Sequence, residues 1–258
     1  MLIVFAAVLY LLLSLSHWLK RPLPAQQRLE PLILLIAVLC HTTGLQRGVW
    51  LDGSVDLGLF KAISILGLIL AILVLFNTLR RGVLDLGSWL LPISALAALA
   101  GGFLSSGFEA RPASFGLLLH VMFALLAYAL FTVTVIHALV VRAQDRGLKH
   151  HRLSGFLMKL PPLQTMEHAQ FRLAWISFVL LTLAMVMGHI SAESFLGQQI
   201  AHKTVFTLFA WLFFAILFFG HQVWGWRAVM TLRWLLAGYL LLSLGFFGSK
   251  IVLELILA

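Results

Sequence analysis

Apolar residues in this chain come in long, nearly continuous blocks, such as Ile63 to Phe76 and Thr204 to Gly220, with polar residues gathered in short intervals between them. Blocks of this length are not the alternating pattern of a barrel strand. A segment that crosses lipid must pair every backbone N–H and C=O internally, so a continuous apolar block of this size predicts a helix. A crossing takes about 20 apolar residues. On that measure the pattern predicts about eight transmembrane helices, at 1–19, 31–48, 57–79, 88–105, 115–141, 172–190, 204–224 and 234–257. The fold class expected is all-α, a polytopic membrane bundle forming a single transmembrane domain over 1–258. Its longest connection is 142–171, where Pro161-Pro162 forbids a continuous helix.

Composition supports this picture. Of 258 residues 62% are hydrophobic and 10% charged, against about 25% charged in a soluble domain. Mean hydropathy is +1.03. A chain this apolar has too few polar groups to cover itself, so its natural solvent is the lipid bilayer. The first block, Met1 to Leu19, has no basic residue before it and ends in His17-Trp18-Leu19-Lys20-Arg21 rather than in small residues. It reads as a retained helix, not a cleaved signal. The one cysteine, Cys40, rules out an internal disulfide framework and lies in an apolar run as a small packing residue.

Net charge is +9, but the position of the charges matters more than their sum. Lys20, Arg21, Arg28, Arg80, Arg81, Arg142, Arg146, Lys149, Arg152, Lys159, Arg172, Arg227 and Arg233 follow the odd-numbered helices, and Arg47, Lys61, Arg111, Lys203 and Lys250 lie on the other side. Thirteen against five predicts that the odd loops are cytoplasmic and both termini outside. Basic residues spent on orientation do not form a nucleic-acid surface, and no nucleic-acid partner is expected.

The candidate chemistry is histidine. No glycine-rich phosphate loop, cysteine pair or paired carboxylates within a helix is present, so hydrolysis and phosphoryl transfer find no machinery. Ten histidines are present. Ionisable groups at membrane depth are costly and usually face the bundle interior, and imidazole is a common ligand of haem iron. The predicted topology puts His41, His120 and His189 toward the outer side, with His202 just above, and His17, His137 and His221 toward the inner side. Each admits a plain reading: helix-end histidines bond free carbonyls or sit among headgroups, and His150, His151 and His168 lie in a basic loop. His120 and His221 are the best-placed metal-ligand candidates, with His41 and His189 behind them. Lys61 and Lys250 lie toward outer helix ends, where a lysine either snorkels to the interface or pairs with the carboxylates of an anionic cofactor such as haem. The eight tryptophans fall mostly at helix ends, as an aromatic belt does.

Several stretches resemble a known family. Leu118-Leu119-His120-Val121-Met122 with Ala127-Tyr128-Ala129 resembles the start of a helix in the cytochrome c assembly proteins of the CcsA type. Leu160-Pro161-Pro162-Leu163-Gln164-Thr165-Met166-Glu167, with Phe171-Arg172-Leu173, resembles a segment of the HemX-like branch, as does Leu180 to Gly188. His221 before Trp224-Gly225-Trp226-Arg227 resembles the family's next junction, and Gly245 to Val252 resembles the closing segment of the YpjD-type inner-membrane proteins. The resemblance covers the C-terminal half well and the N-terminal half through hydropathy and Cys40-His41.

The resemblance implies haem handling in a bacterial inner membrane, with a b-type haem as cofactor, an outer ligand at His120 and an inner one at His221. Two family features are missing. The tryptophan-rich loop that presents haem to apocytochrome should fall between His189 and Lys203, where no tryptophan stands, and the second outer histidine has no counterpart before Ala258. The expected function is therefore haem binding without haem lyase activity of its own, with His189 or His41 standing in for the lost ligand. Two other readings remain open. One is a HemX-like regulatory protein that contacts a cytoplasmic or membrane partner through 142–171. The other is a transporter, or its accessory subunit, whose histidines relay protons.

Overall fold

The computed structural model describes residues 1–19, 24–51, 54–80, 87–106, 108, 110, 112–151, 157–158, 160–191, 198–226, 228–251 and 254, with the backbone alone for 24–28, 51, 198–202 and 228. The basic positions Lys20, Arg21, Arg81, Arg111, Arg152, Lys159 and Arg227, and the side chains of Arg28 and His202, lie outside the described residues.

The chain is a multi-pass helical membrane protein. Its helices are α1 (Leu2–Trp18), α2 (Pro24–Val49), α3 (Leu59–Leu79), α4 (Gly87–Phe103), α5 (Phe115–Lys149), α6 (Leu163–Ser191), α7 (Gln198–Trp224) and α8 (Ala228–Ser243). A π-helical turn (Leu244–Gly248) and a short α9 (Ser249–Ile251) follow α8. Two-residue strands β1 (Trp50–Leu51) and β2 (Ser54–Val55) pair antiparallel between α2 and α3, Trp50 opposite Val55. Among the described residues six helical segments are long and apolar enough to cross a bilayer, and α1 and α4 are shorter apolar helices of 17 residues each.

Two boundaries differ from expectation. Helix α2 begins at Pro24, upstream of the predicted 31, and carries Pro31 inside it. The connection 142–171 is largely helical, because α5 continues to Lys149 and α6 starts at Leu163. Charge patterning explains the first extension: Asp145 accepts from Arg142 at 2.9 Å and from Lys149 at 3.0 Å, both spacings that face each other on a helix. The proline pair ends where the next helix begins, with Pro162 carbonyl accepting the Met166 N–H, a position where the missing proline donor costs nothing.

The chain clusters into two compact units, Met1–Ala113 with Lys250–Ala258, and Ser114–Ser249. In the first, α1 packs on α2 and α4, and α3 on α2 and α4. Contacts run in opposite order along each neighbouring pair: Tyr10 meets His41 while His17 meets Glu30, and Gly67 meets Ala97 while Ser64 meets Gly101. The unit is an up-down-up-down four-helix ring. The second repeats that topology with α5 to α8. There α5 lies antiparallel to α6 (His120 by Ala184, His137 by Met166) and to α8 (Tyr128 by Ser243, Thr132 by Tyr239).

Small residues set the helix spacing, as expected where lipid is as apolar as the side chains. A Cβ on Gly67 would stand 2.5 Å from that of Ala97, so α3 and α4 touch almost backbone to backbone. In the second unit Phe131 and Phe214 stack with centroids 4.0 Å apart. Pro92 in α4 removes the donor that would bond the Ser88 carbonyl. Helix α1 supplies the replacements, Ser14 Oγ at 3.2 Å and Trp18 Nε1 at 3.1 Å.

Candidate functional site

Histidines of the second unit occupy two levels. His120 lies on the second turn of α5, which is capped by Ser114 through the Leu117 N–H. Its Nδ1 is 2.6 Å from the carbonyl of Ala184 on α6. A carbonyl can only accept, so Nδ1 carries the proton and Nε2 keeps its lone pair. The ring lies against α6 at Gly188, where an added Cβ would come within 2.7 Å of Nδ1. Glycine there is what lets the imidazole lie flat on the neighbouring helix.

His221 is held the same way at the other level. Gly225 takes φ +61, a left-handed turn suited to glycine. The turn brings the Trp226 carbonyl to 3.0 Å from His221 Nδ1, which again leaves Nε2 as the lone-pair nitrogen. Phe171 of α6 stacks on the imidazole at 3.5 Å between centroids. The Trp226 indole covers Gly220 and stacks on Trp234 at 5.5 Å. Ala184 and Phe171, which mark the two levels on α6, are thirteen residues apart, about 20 Å along the axis. One ligand does not span both.

The other candidates are placed differently. His189 follows Gly188 by one residue, about 100° further round the helix, and is exposed. His41 belongs to the first unit and is fully buried at 0% exposure. Both of its nitrogens are engaged, Nδ1 with Tyr10 Oη at 3.5 Å and Nε2 with Ser64 Oγ at 3.0 Å. Lys61 and Lys250 also belong to the first unit. Lys61 donates to the Gly101 carbonyl at 2.7 Å. Lys250 donates to the Leu57 carbonyl at 2.6 Å and to Glu254 at 2.9 Å. His137, read as a boundary histidine, is buried with Nε2 on the Met166 carbonyl at 3.1 Å and Nδ1 without a partner.

A separate aromatic group lies elsewhere in this unit. The Lys203 ammonium, on α7, lies 5.6 Å above the Phe246 ring. Phe246 sits in the π-helical turn, a distortion often found at functional sites. Tyr128 Oη bonds Ser243 Oγ at 2.7 Å and the ring packs edge-on to Phe247. These contacts join α5, α7, α8 and the π-helical turn. In the sequence, Tyr128 and the stretch Gly245 to Val252 were marked only through the family resemblance.

An imidazole pinned at Nδ1, with the Nε2 lone pair left over, matches what haem iron requires of a histidine ligand. His120 fits that role, and the nitrogen chemistry of His221 fits a second ligand at the other level. Among the described residues no group of three or more metal-binding side chains exists.

Comparison with known proteins adds the family context. The family described as cytochrome C assembly protein matches residues 27–257. The Inner membrane protein YpjD of Escherichia coli K12 is 30% identical over 241 residues, which cover 89% of this chain and 88% of that protein. An uncharacterized 28.8 kDa protein of Azospirillum brasilense is 28% identical over 221 residues, 83% of this chain and 77% of its own. Protein HemX of Brevibacillus brevis is 25% identical over 134 residues, 51% of this chain and 49% of its own. No solved structure matches the chain.

Proposed function

The chain belongs to the cytochrome c assembly protein family, and from that premise we propose that it is a haem-handling protein of the bacterial inner membrane, binding a b-type haem through His120 and lacking lyase activity of its own. The observation that carries the reading is the 2.6 Å bond from His120 Nδ1 to the Ala184 carbonyl. It fixes ring orientation and tautomer before any ligand arrives, as outer-shell partners of iron-bound histidines do. When bound, haem supplies an iron centre that takes the Nε2 lone pair. The chain's own residues orient that nitrogen, hold the ring against α6 through Gly188, and surround it with the apolar side chains of a lipid-embedded bundle. His221, held by the Trp226 carbonyl, is the ligand candidate at the inner level. The absence of tryptophan between His189 and Lys203 supports binding without transfer to apocytochrome. The location is supported by the relative named as an inner membrane protein.

The test is absorbance of the purified chain supplied with haem. A sharp Soret band that His120→Ala removes is expected. A wild-type protein without Soret absorbance overturns the cofactor, and an unchanged band in His120→Ala overturns the ligand.

A second reading, a partner-binding protein, is favoured by the similarity to HemX and by helices α5 and α6 running on into 142–171. Arg142 and Lys149 are tied to Asp145, so among the described residues at the end of α5 Arg146 is a charge for a partner to meet. Arg146→Glu abolishing co-purification of one defined protein, with haem binding intact, would establish it; an unchanged set of co-purified proteins would remove it.

A further inference from the structure

The interior of the first unit holds polar side chains that the haem-binding reading does not use. His41 lies at its heart, inside the membrane segment Leu29–Val49 of α2, and is fully buried together with Tyr10 and Ser64. Its Nε2 is 3.0 Å from Ser64 Oγ and its Nδ1 is 3.5 Å from Tyr10 Oη. These partners set it apart from His120, His137 and His221. Each of those is bonded to a backbone carbonyl, which only accepts and so fixes one tautomer. A hydroxyl both donates and accepts. Between two hydroxyls, His41 can carry its proton on either nitrogen.

Polar groups continue from this triad toward both ends of the unit. On α1, Tyr10, Ser14 and His17 follow the spacing i, i+4, i+7 and share one face. Ser14 is buried, and His17 pairs with Glu30 of α2 at 3.0 Å. On α3, Ser64 lies one turn from Lys61, and both meet Gly101 of α4. Lys61 donates to the Gly101 carbonyl at 2.7 Å, and an added Cβ on that glycine would stand 2.7 Å from Ser64 Oγ. Gly48 of α2 also lies against the Lys61 ammonium, 2.6 Å from an added Cβ. The line can be measured on α2. Glu30, His41 and Gly48 are eleven and then seven residues apart, each interval within about 20° of whole turns, so they share one face. The eighteen residues from Glu30 to Gly48 rise about 27 Å, close to the roughly 30 Å of bilayer hydrocarbon.

We propose that this line is a proton pathway through the first unit, with His41 as the relay between Tyr10 and Ser64, the His17–Glu30 pair at one end and Lys61 at the other. It stands apart from haem binding by the second unit. In one passage His41 accepts a proton at Nδ1 from the Tyr10 hydroxyl and releases its Nε2 proton to Ser64. Each hydroxyl gives one proton and takes one, so the chain ends with the protons it began with. Return of the ring to its first tautomer readies the next passage. A polar side chain at this depth is costly, and histidines so placed mark proton relays. An apolar side chain would fill the same space between the helices without that cost.

The experiment places the full chain in phosphatidylcholine vesicles that hold the pH dye pyranine, and drives protons inward with a potassium–valinomycin potential. Wild type is expected to acidify the interior faster than protein-free vesicles do. Tyr10→Phe and Ser64→Ala each delete one hydroxyl, and His41→Gln keeps a polar side chain without a titratable nitrogen. All three are expected to fall to the protein-free rate. Thr43→Ala, at an exposed position of the same helix where the hydroxyl bonds the Leu39 and Cys40 carbonyls, keeps the wild-type rate. Helical circular dichroism and a single gel-filtration peak show that a variant folds. Where His41→Gln does not, the two hydroxyl deletions decide. A wild type no faster than protein-free vesicles overturns the pathway. So does a wild-type rate that survives in Tyr10→Phe and Ser64→Ala, or an equal loss in Thr43→Ala.

Discussion

Glu254 Oε2 accepts the backbone N–H of Leu59 at 2.6 Å, across 195 positions of sequence. Leu59 is the first residue of α3, and its own cap, Gly58, has no side chain to offer. A carboxylate there satisfies an open N–H and meets the positive end of the helix dipole. Its other oxygen holds Lys250 at 2.9 Å, and Ser106 bonds the same carboxyl group. The chain's final stretch is thus the cap of its third helix. Glu254→Ala should destabilise the first unit by roughly 2–3 kcal/mol, as a lost cap and a stranded lysine together predict. Glu254→Gln, which keeps an acceptor, should cost less. Thermal unfolding in detergent checks both, and equal stability of all three proteins would refute the cap.

Gly188→Ala addresses the His120 seat without touching the ligand. The new methyl would sit 2.7 Å from Nδ1 and 2.9 Å from Cε1, so the ring must leave the Ala184 carbonyl. Haem affinity should drop by about tenfold or more, with the helical circular dichroism unchanged. An affinity equal to wild type would show that the seat does not position the ligand.

His41→Ala separates structure from ligation. The imidazole joins Tyr10 and Ser64, each at 0% exposure. Its removal leaves a cavity and two unpaired hydroxyls, for about 2–4 kcal/mol of lost stability. The Soret band of the folded fraction should be that of wild type. A shifted or missing band would instead place His41 at the iron.

Tyr128→Phe removes the 2.7 Å bond to Ser243 while keeping the ring against Phe247. Hydrogen bonds between membrane helices contribute about 0.6 kcal/mol on average, so a small loss of stability is expected. A loss several times larger, measured by unfolding in detergent, would mean that the bond holds the π-helical turn in place.

Much of the architecture was readable before the structure. All eight apolar blocks are helices, and the two prolines at 161–162 mark the break between α5 and α6 as expected. The extension of α5 to Lys149 was not read, because its last turns are held by Arg142, Asp145 and Lys149 rather than by apolar residues. His120 and His221 stood out by depth and by neighbouring residues.

The difference has one cause. The sequence by itself determined that lipid is the solvent, that the fold is helical, and roughly where the apolar core of each helix lies, because apolar length alone decides those points. It did not decide which face of a helix is inside. On α6 the buried set is Met166, Gln170, Ala174, Ser177, Leu181 and Ala184, while Trp175, Ile176, Val179, Leu183 and Val186 face out. In water the outward face would be polar and the stripe visible; in lipid both faces are apolar and the signal cancels. Only the tertiary structure decided that Ala184 and Gly188 meet His120, that His41 is enclosed by Tyr10 and Ser64, and that Glu254 returns to cap α3.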